Sequence, residues 1–171
     1  GHAAVVATAL TVQDSQRVHD FQLTDPRLMQ AQASLVLADL PVSCIKLGML
    51  GNGAITAVVA EVLAAHPQIP VVLDPVLVAN SGGSLASDDL AQGLLRLLPL
   101  ATVITPNTVE ARRLAEADDL EAAVAGLAHL GARHTLLKGG HEPGPLLLNR
   151  LYRGDTEIYR SETPRLAGEF H

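Results

Sequence analysis

The sequence predicts an α/β protein with a mostly parallel central sheet and an antiparallel hairpin at one edge. Short aliphatic runs alternate with helix-like stretches along most of the chain, each run ending in a polar or glycine-containing cluster. After Gly140 that alternation gives way to two strand-like runs around a turn. Strand, helix and strand at this spacing mean right-handed βαβ units.

Taken in order, "AAVVATALTV" (3–12), "CIKLGML" (44–50), "VVLDPV" (71–76), "TVITPN" (102–107) and "HTLLKGG" (134–140) are the strand-like runs. Their near-continuous apolarity suits strands covered on both faces. Between them, Asp25 and Pro26 supply an N-cap and a first-turn proline ahead of "RLMQAQASLVLADL". "AITAVVAEVLAAH" runs from Ala54 to His66 and is stopped by Pro67. Ser87 or Asp88 opens "DLAQGLLRLL", and "DDLEAAVAGLAHLG" starts on acids and ends on Gly131, the expected residue just past a helix end. "LLLNRLY", Arg153-Gly154-Asp155 and "TEIYRS" form the hairpin.

With 171 residues and 48% hydrophobic content, one sizeable core and one domain are expected. Eighteen acidic residues against twelve basic ones, without a dense Lys/Arg stripe, argue against nucleic acid or an anionic membrane as the main partner. No apolar run is long enough to span a bilayer. Cys44 is the sole cysteine, so a reducing, cytoplasmic setting is expected; it reads as packed at a strand start, not as a reactive thiol. His2, His19 and His141 lack metal-ligand spacing and read as structural or exposed.

Ligands of open parallel sheets bind beyond the carboxyl ends of the strands. Parallel strands would bring "TVQD" (11–14), "KLGMLGNG" (46–53), "LDPV" (73–76), "TPNTVE" (105–110) and "LKGGH" (137–141) to one rim. Lys138 with Gly139 and Gly140 suits phosphate binding, although a surface lysine before a tight turn reads the same way. Asp74, abutting a buried strand, needs a partner or a metal, or is a turn aspartate before Pro75. Asn107 and Glu110 open a helix whose dipole alone would welcome the glutamate. Asp74 and Glu110 together could hold Mg²⁺ through waters. Gly48 and Met49 offer close approach and an apolar wall, or an ordinary strand–helix turn. Gln13 could pair with a heteroaromatic ring, or be a solvated loop glutamine.

The ordered set "TALTVQD", "IKLGMLGN", "PVVLDPVLVANSG", "ATVITPNTVEARRL" and "LLKGGH" resembles the hydroxymethylpyrimidine/phosphomethylpyrimidine kinases of thiamine biosynthesis, over nearly the whole chain. These belong to the ribokinase-like superfamily, so the resemblance implies a three-layer αβα fold and an ATP- and Mg²⁺-dependent phosphotransferase, expected as a homodimer. By the same resemblance Gln13 would bond the aminopyrimidine, with Gly48, Met49 and Val76 around the ring. Asp74 and Glu110 would organise Mg²⁺, and Asn107, Lys138, Gly139 and Gly140 would serve the nucleotide. Lys138 is the catalytic candidate. The γ-phosphoryl group of ATP would pass to hydroxymethylpyrimidine and then to its monophosphate.

In relatives a Gly-Ser/Thr-Gly-Cys or Gly-x-Gly-Asp anion hole supplies the proton acceptor, after a histidine placed like His171. The 171 residues are therefore read as one kinase domain without its first strand and without its C-terminal anion-hole segment and helices, expected to be inactive by itself. The rival readings are a pyridoxal kinase and a non-catalytic pyrimidine-sensing domain.

Overall fold

A computed structural model describes residues 1–15, 18–77, 88–140, 142 and 144–165. Residues 78–82 of the long aspartate motif, Ser87, His141 and the "LAGEFH" end lie outside the described residues. The elements in chain order are β1 (Ala9–Gln13), β2 (Val18–Leu23), α1 (Pro26–Asp39), β3 (Ile45–Leu47), α2 (Gly53–Ala65), β4 (Val71–Leu73) and α3 (Asp88–Leu97). They continue as β5 (Val103–Ile104), α4 (Thr108–Ala115), α5 (Leu120–His129), β6 (His134–Leu137), β7 (Leu146–Arg153) and β8 (Thr156–Pro164).

The main sheet has the order β3-β4-β5-β6-β7-β8. Pairings from β3 to β6 are parallel, and β6-β7 and β7-β8 are antiparallel, which places the hairpin at one edge as its turn signals predict. The helix starts also follow the sequence. Asp25 accepts from Arg27 N at 2.9 Å, Asn52 from Ile55 N at 2.9 Å and Asp119 from Ala122 N at 2.8 Å, each satisfying an amide the first turn leaves free. Gly131, with φ at 103°, takes the left-handed turn that ends α5.

Two expectations are corrected. Run 3–12 is not a strand of the main sheet. Its second half, β1, pairs antiparallel with β2 in a separate two-stranded ribbon, leaving Leu10 67% and Val12 62% exposed. The ribbon's base is fastened to the main body: Thr8 Oγ1 donates to the Met49 carbonyl at 2.6 Å, and the Leu23 side chain lies over Gly51. Cys44 is likewise exposed instead of packed.

Among the described residues, the helices between the parallel strands cover one face of the sheet. Strand order rises steadily from β3 to β6, and right-handed crossovers that always step the same way put α2, α3 and the α4–α5 pair on one face. Burial alternates accordingly. Val71, Leu73, Ile104, Thr135 and Leu137 are buried, and the apolar ones join a core with Val59, Leu94, Leu114 and Leu127 of the helices. Val72, Val103 and Leu136, on the opposite face, are only partly buried among the described residues.

This asymmetry makes a stability prediction. Leu73→Ala should cost about 2–5 kcal/mol, the range for emptying a buried leucine site. Val72→Ala, next in the chain, should cost less than half as much. Urea titration of both variants checks it; equal losses would show that both faces are packed alike.

Candidate active site

Strands β3 to β6 end at Leu47, Leu73, Ile104 and Leu137, all on the same edge because they run parallel. Beyond those ends, three backbone hydrogen bonds extend the stagger. Asp74 N donates to Leu47 O at 2.9 Å, Thr105 N to Leu73 O at 2.8 Å and Lys138 N to Pro106 O at 2.9 Å. Each first residue past a strand is thus tied to its neighbour. Asp74 follows buried Leu73 and Lys138 follows buried Leu137, so strand alternation sends both polar side chains to the face away from the helices. Strands β4 and β6 are separated by β5, about 10 Å from centre to centre. The long lysine side chain crosses that gap: Lys138 Nζ lies 2.9 Å from Asp74 Oδ1. Both side chains keep solvent access, at 40% for Lys138 and 24% for Asp74.

Between them, α4 opens with a reciprocal capping box. Asn107 Oδ1 accepts from Glu110 N at 2.8 Å, and Glu110 Oε2 accepts from Asn107 N at 2.8 Å. Glu110 therefore holds the helix start, and it also sits in the field of the rim. It is 6% exposed, and burial pushes its carboxyl above the ordinary value of 4.5. The Asn107 amide bond and the Lys138 charge oppose that rise, while the Asp74 charge adds to it. Asn107 itself bridges to Lys138 as a parallel strand partner, joining cap and lysine through the backbone.

No cluster of three or more His, Cys, Asp or Glu able to hold a metal occurs among the described residues. Two carboxylates beside a lysine are the donor set of a magnesium that completes its shell with water and phosphate, unlike a metal centre built from protein alone. The residues fit Mg²⁺ in that form.

The other sequence-predicted positions are placed less uniformly. Gly48 and Met49 follow β3 half-buried, and Val76, half-buried after Asp74, donates its amide to the Asp74 carbonyl at 2.9 Å. Gln13 stands exposed at the far end of the ribbon from its fastened base, not at the tip of a main-sheet strand. Gly139 owes its identity to packing: a Cβ there would run into the Leu148 carbonyl of β7, and its amide donates to Asn149 Oδ1 at 3.3 Å. Gly140 faces open space. Asn149 was not singled out by sequence, though a lone amide in the apolar run "LLLNRLY" is a readable signal.

The family model for phosphomethylpyrimidine kinase matches residues 1–171. The chain belongs to the phosphomethylpyrimidine kinase family. It is 32% identical over 174 residues to the hydroxymethylpyrimidine/phosphomethylpyrimidine kinase of Aquifex aeolicus, covering 98% of this chain and 68% of that one. The crystal structure of phosphomethylpyrimidine kinase from Clostridium difficile 630 aligns with a TM-score of 0.78 at 27% identity, covering 90% of this chain and 68% of the other. An ADP complex of Bacillus subtilis pyridoxal kinase aligns with a TM-score of 0.81 at 28% identity, over 95% of this chain and 64% of its own. The fold is ribokinase-like, and the chain spans about two thirds of the length of these relatives. No helix among the described residues is long and apolar enough to cross a membrane.

Glu110 yields a prediction with a defined sign. Its native carboxyl holds a proton at pH values where the unfolded chain's glutamate has lost it, so this group's contribution is complete below 4.5 and lost as pH rises through the raised value. Glu110→Gln keeps an oxygen to accept from Asn107 and removes the buried charge. In urea titrations between about pH 4 and pH 8, the variant should gain on the parent as pH rises. Parallel curves would mean that Glu110 is not a buried, proton-retaining acid.

Proposed function

We propose that the protein transfers the γ-phosphoryl group of ATP to the hydroxymethyl group of hydroxymethylpyrimidine and then to the resulting monophosphate. The observation that carries this reading is the 2.9 Å Lys138–Asp74 pair on the strand-end rim, beside Glu110, in a chain of this family. The donor set supports the choice of Mg²⁺. We read the protein as a cytoplasmic homodimer whose residues 1–171 form one kinase domain.

Phosphoryl transfer gives the protein little covalent work, so catalysis rests on positioning and charge neutralisation. Lys138 is the cation for the transferring phosphates. Its ammonium is held ready by Asp74 at 2.9 Å, and Asp74 and Glu110 would be the carboxylates that hold Mg²⁺. When bound, Mg²⁺ supplies charge neutralisation at the phosphate oxygens. Glu110 serves from a fixed position, since its capping bonds immobilise it. Asn107 sets the start of that helix, and Gly139 and Gly140 carry the nucleotide loop. Gly48, Met49 and Val76 form the wall of the pyrimidine side, with Gln13 assigned to the ring's hydrogen bonds. No Gly-Ser/Thr-Gly-Cys or Gly-x-Gly-Asp string occurs in residues 1–171, so none of the described residues is given the proton-accepting role.

The alignment with Bacillus subtilis pyridoxal kinase favours one rival substrate, pyridoxal. Turnover of both compounds by the complete gene product decides between them, with the pyrimidine expected to give the higher kcat/KM; a strong preference for pyridoxal would overturn the substrate assignment. In the same assay Lys138→Ala should lower kcat/KM for ATP by roughly 10²-fold or more, as removal of a donor aimed at developing charge does. Unchanged ATP kinetics would take Lys138 out of the site.

A further inference from the structure

The backbone that follows Lys138 is held from two sides by side chains to which the sequence motifs give no role. Arg165, immediately after β8, spends its whole guanidinium on this loop. Nη1 donates to the Gly140 carbonyl at 2.8 Å, Nη2 to the Glu142 carbonyl at 2.6 Å and Nε to the Gly144 carbonyl at 3.1 Å. Its own amide donates to the Pro145 carbonyl at 2.8 Å. On the other side, Glu142 Oε1 meets Arg112 Nη1 of α4 at 3.3 Å, on the helix that carries Asn107 and Glu110. The Glu142 amide also donates back to the Gly139 carbonyl at 3.2 Å.

Gly139 needs no such help, because β7 already fixes it through Leu148 and Asn149. Gly140 faces open space, and its carbonyl is met by Arg165. Among the described residues, Arg165 alone meets the carbonyls of Gly140, Glu142 and Gly144 together. Charge-assisted bonds to carbonyls are among the stronger hydrogen bonds, and a planar fork with donors on three nitrogens can meet three carbonyls at once. A lysine ammonium is a single point and cannot span them.

We propose that Arg165 is a positioning residue for the nucleotide: by clamping the carbonyls of Gly140, Glu142 and Gly144 it fixes the loop that presents ATP phosphates to Lys138. This rests on the reading of Lys138, Gly139 and Gly140 as the nucleotide side of the site. Arg165 acts through the loop and touches no reacting atom.

The test compares the complete parent protein with Arg165→Ala and Arg165→Lys, using steady-state kinetics and hydrogen exchange. In Arg165→Ala, KM for ATP should rise roughly 10- to 100-fold, the range over which slight misplacement of a binding group acts. KM for the pyrimidine should change less than about twofold, within the scatter of surface substitutions. Amides of residues 139–146 should exchange faster while those of α2 and β4 do not. Arg165→Lys should recover little, and added methylguanidinium should restore part of the ATP affinity of Arg165→Ala.

Equal loss for both substrates, or no rescue by methylguanidinium, would reduce Arg165 to a structural residue and overturn the proposal. Faster exchange with unchanged KM for ATP would overturn it too, since the loop would be clamped without consequence for the nucleotide. If Arg165→Ala does not fold, Arg165→Lys carries the same comparison. A parent protein that neither binds nor turns over ATP would overturn the kinase reading itself, and the exchange arm would still report separately whether Arg165 pins the loop.

Discussion

Strands β4, β5 and β6 each pass the first amide beyond their end to a neighbouring chain segment, and the chemistry of the rim depends on that stagger. The bonds from Asp74, Thr105 and Lys138 to Leu47, Leu73 and Pro106 are backbone bonds, indifferent to side-chain identity. What fixes their register is the buried face. Leu73, Ile104 and Leu137 must point into the helix layer, and a slip of one residue would turn each of them outward. The same slip would turn Asp74 and Lys138 inward. Core packing and site geometry are thus one constraint, and the polar pair is placed by the apolar residue that precedes each member.

Glu110 shows how local and tertiary demands meet at the same atom. A glutamate at the third position of α4 would stabilise the helix in any protein by satisfying the Asn107 amide. Here the helix starts where a parallel strand ends, so the cap is buried beside an aspartate and a lysine of opposite sign. The capping bonds hold the carboxylate still, and burial makes it reluctant to ionise without a cation. A positive charge at the rim would relieve that reluctance, as the neighbouring Lys138 already does in part.

Much of this was legible because the signals are local. Asp25-Pro26 and Asn107-x-x-Glu110 announce helix starts, Gly131 a helix end and Arg153-Gly154-Asp155 a hairpin, since each is a short-range hydrogen-bonding or backbone preference. The convergence of Asp74, Asn107, Glu110 and Lys138 followed from the parallel topology alone. The ribbon was missed because "ALTV" has the apolarity of a buried strand, whereas Leu10 and Val12 are exposed in this chain. That the helices of the described residues lie on one face of the sheet is set by strand order, which hydrophobic runs do not encode. Arg165 was invisible for another reason. Its partners are carbonyls of residues 21 to 25 positions away, and every residue type has a carbonyl.

The most direct test of the central claim, that parallel strand ends bring Asp74, Glu110 and Lys138 into one phosphate- and metal-binding rim, is the Mg²⁺ dependence of ADP affinity measured by calorimetry. The complete protein should bind ADP more tightly with Mg²⁺ than without it, and Asp74→Asn and Glu110→Gln should each remove most of that difference. Undiminished magnesium enhancement in both variants would contradict the account.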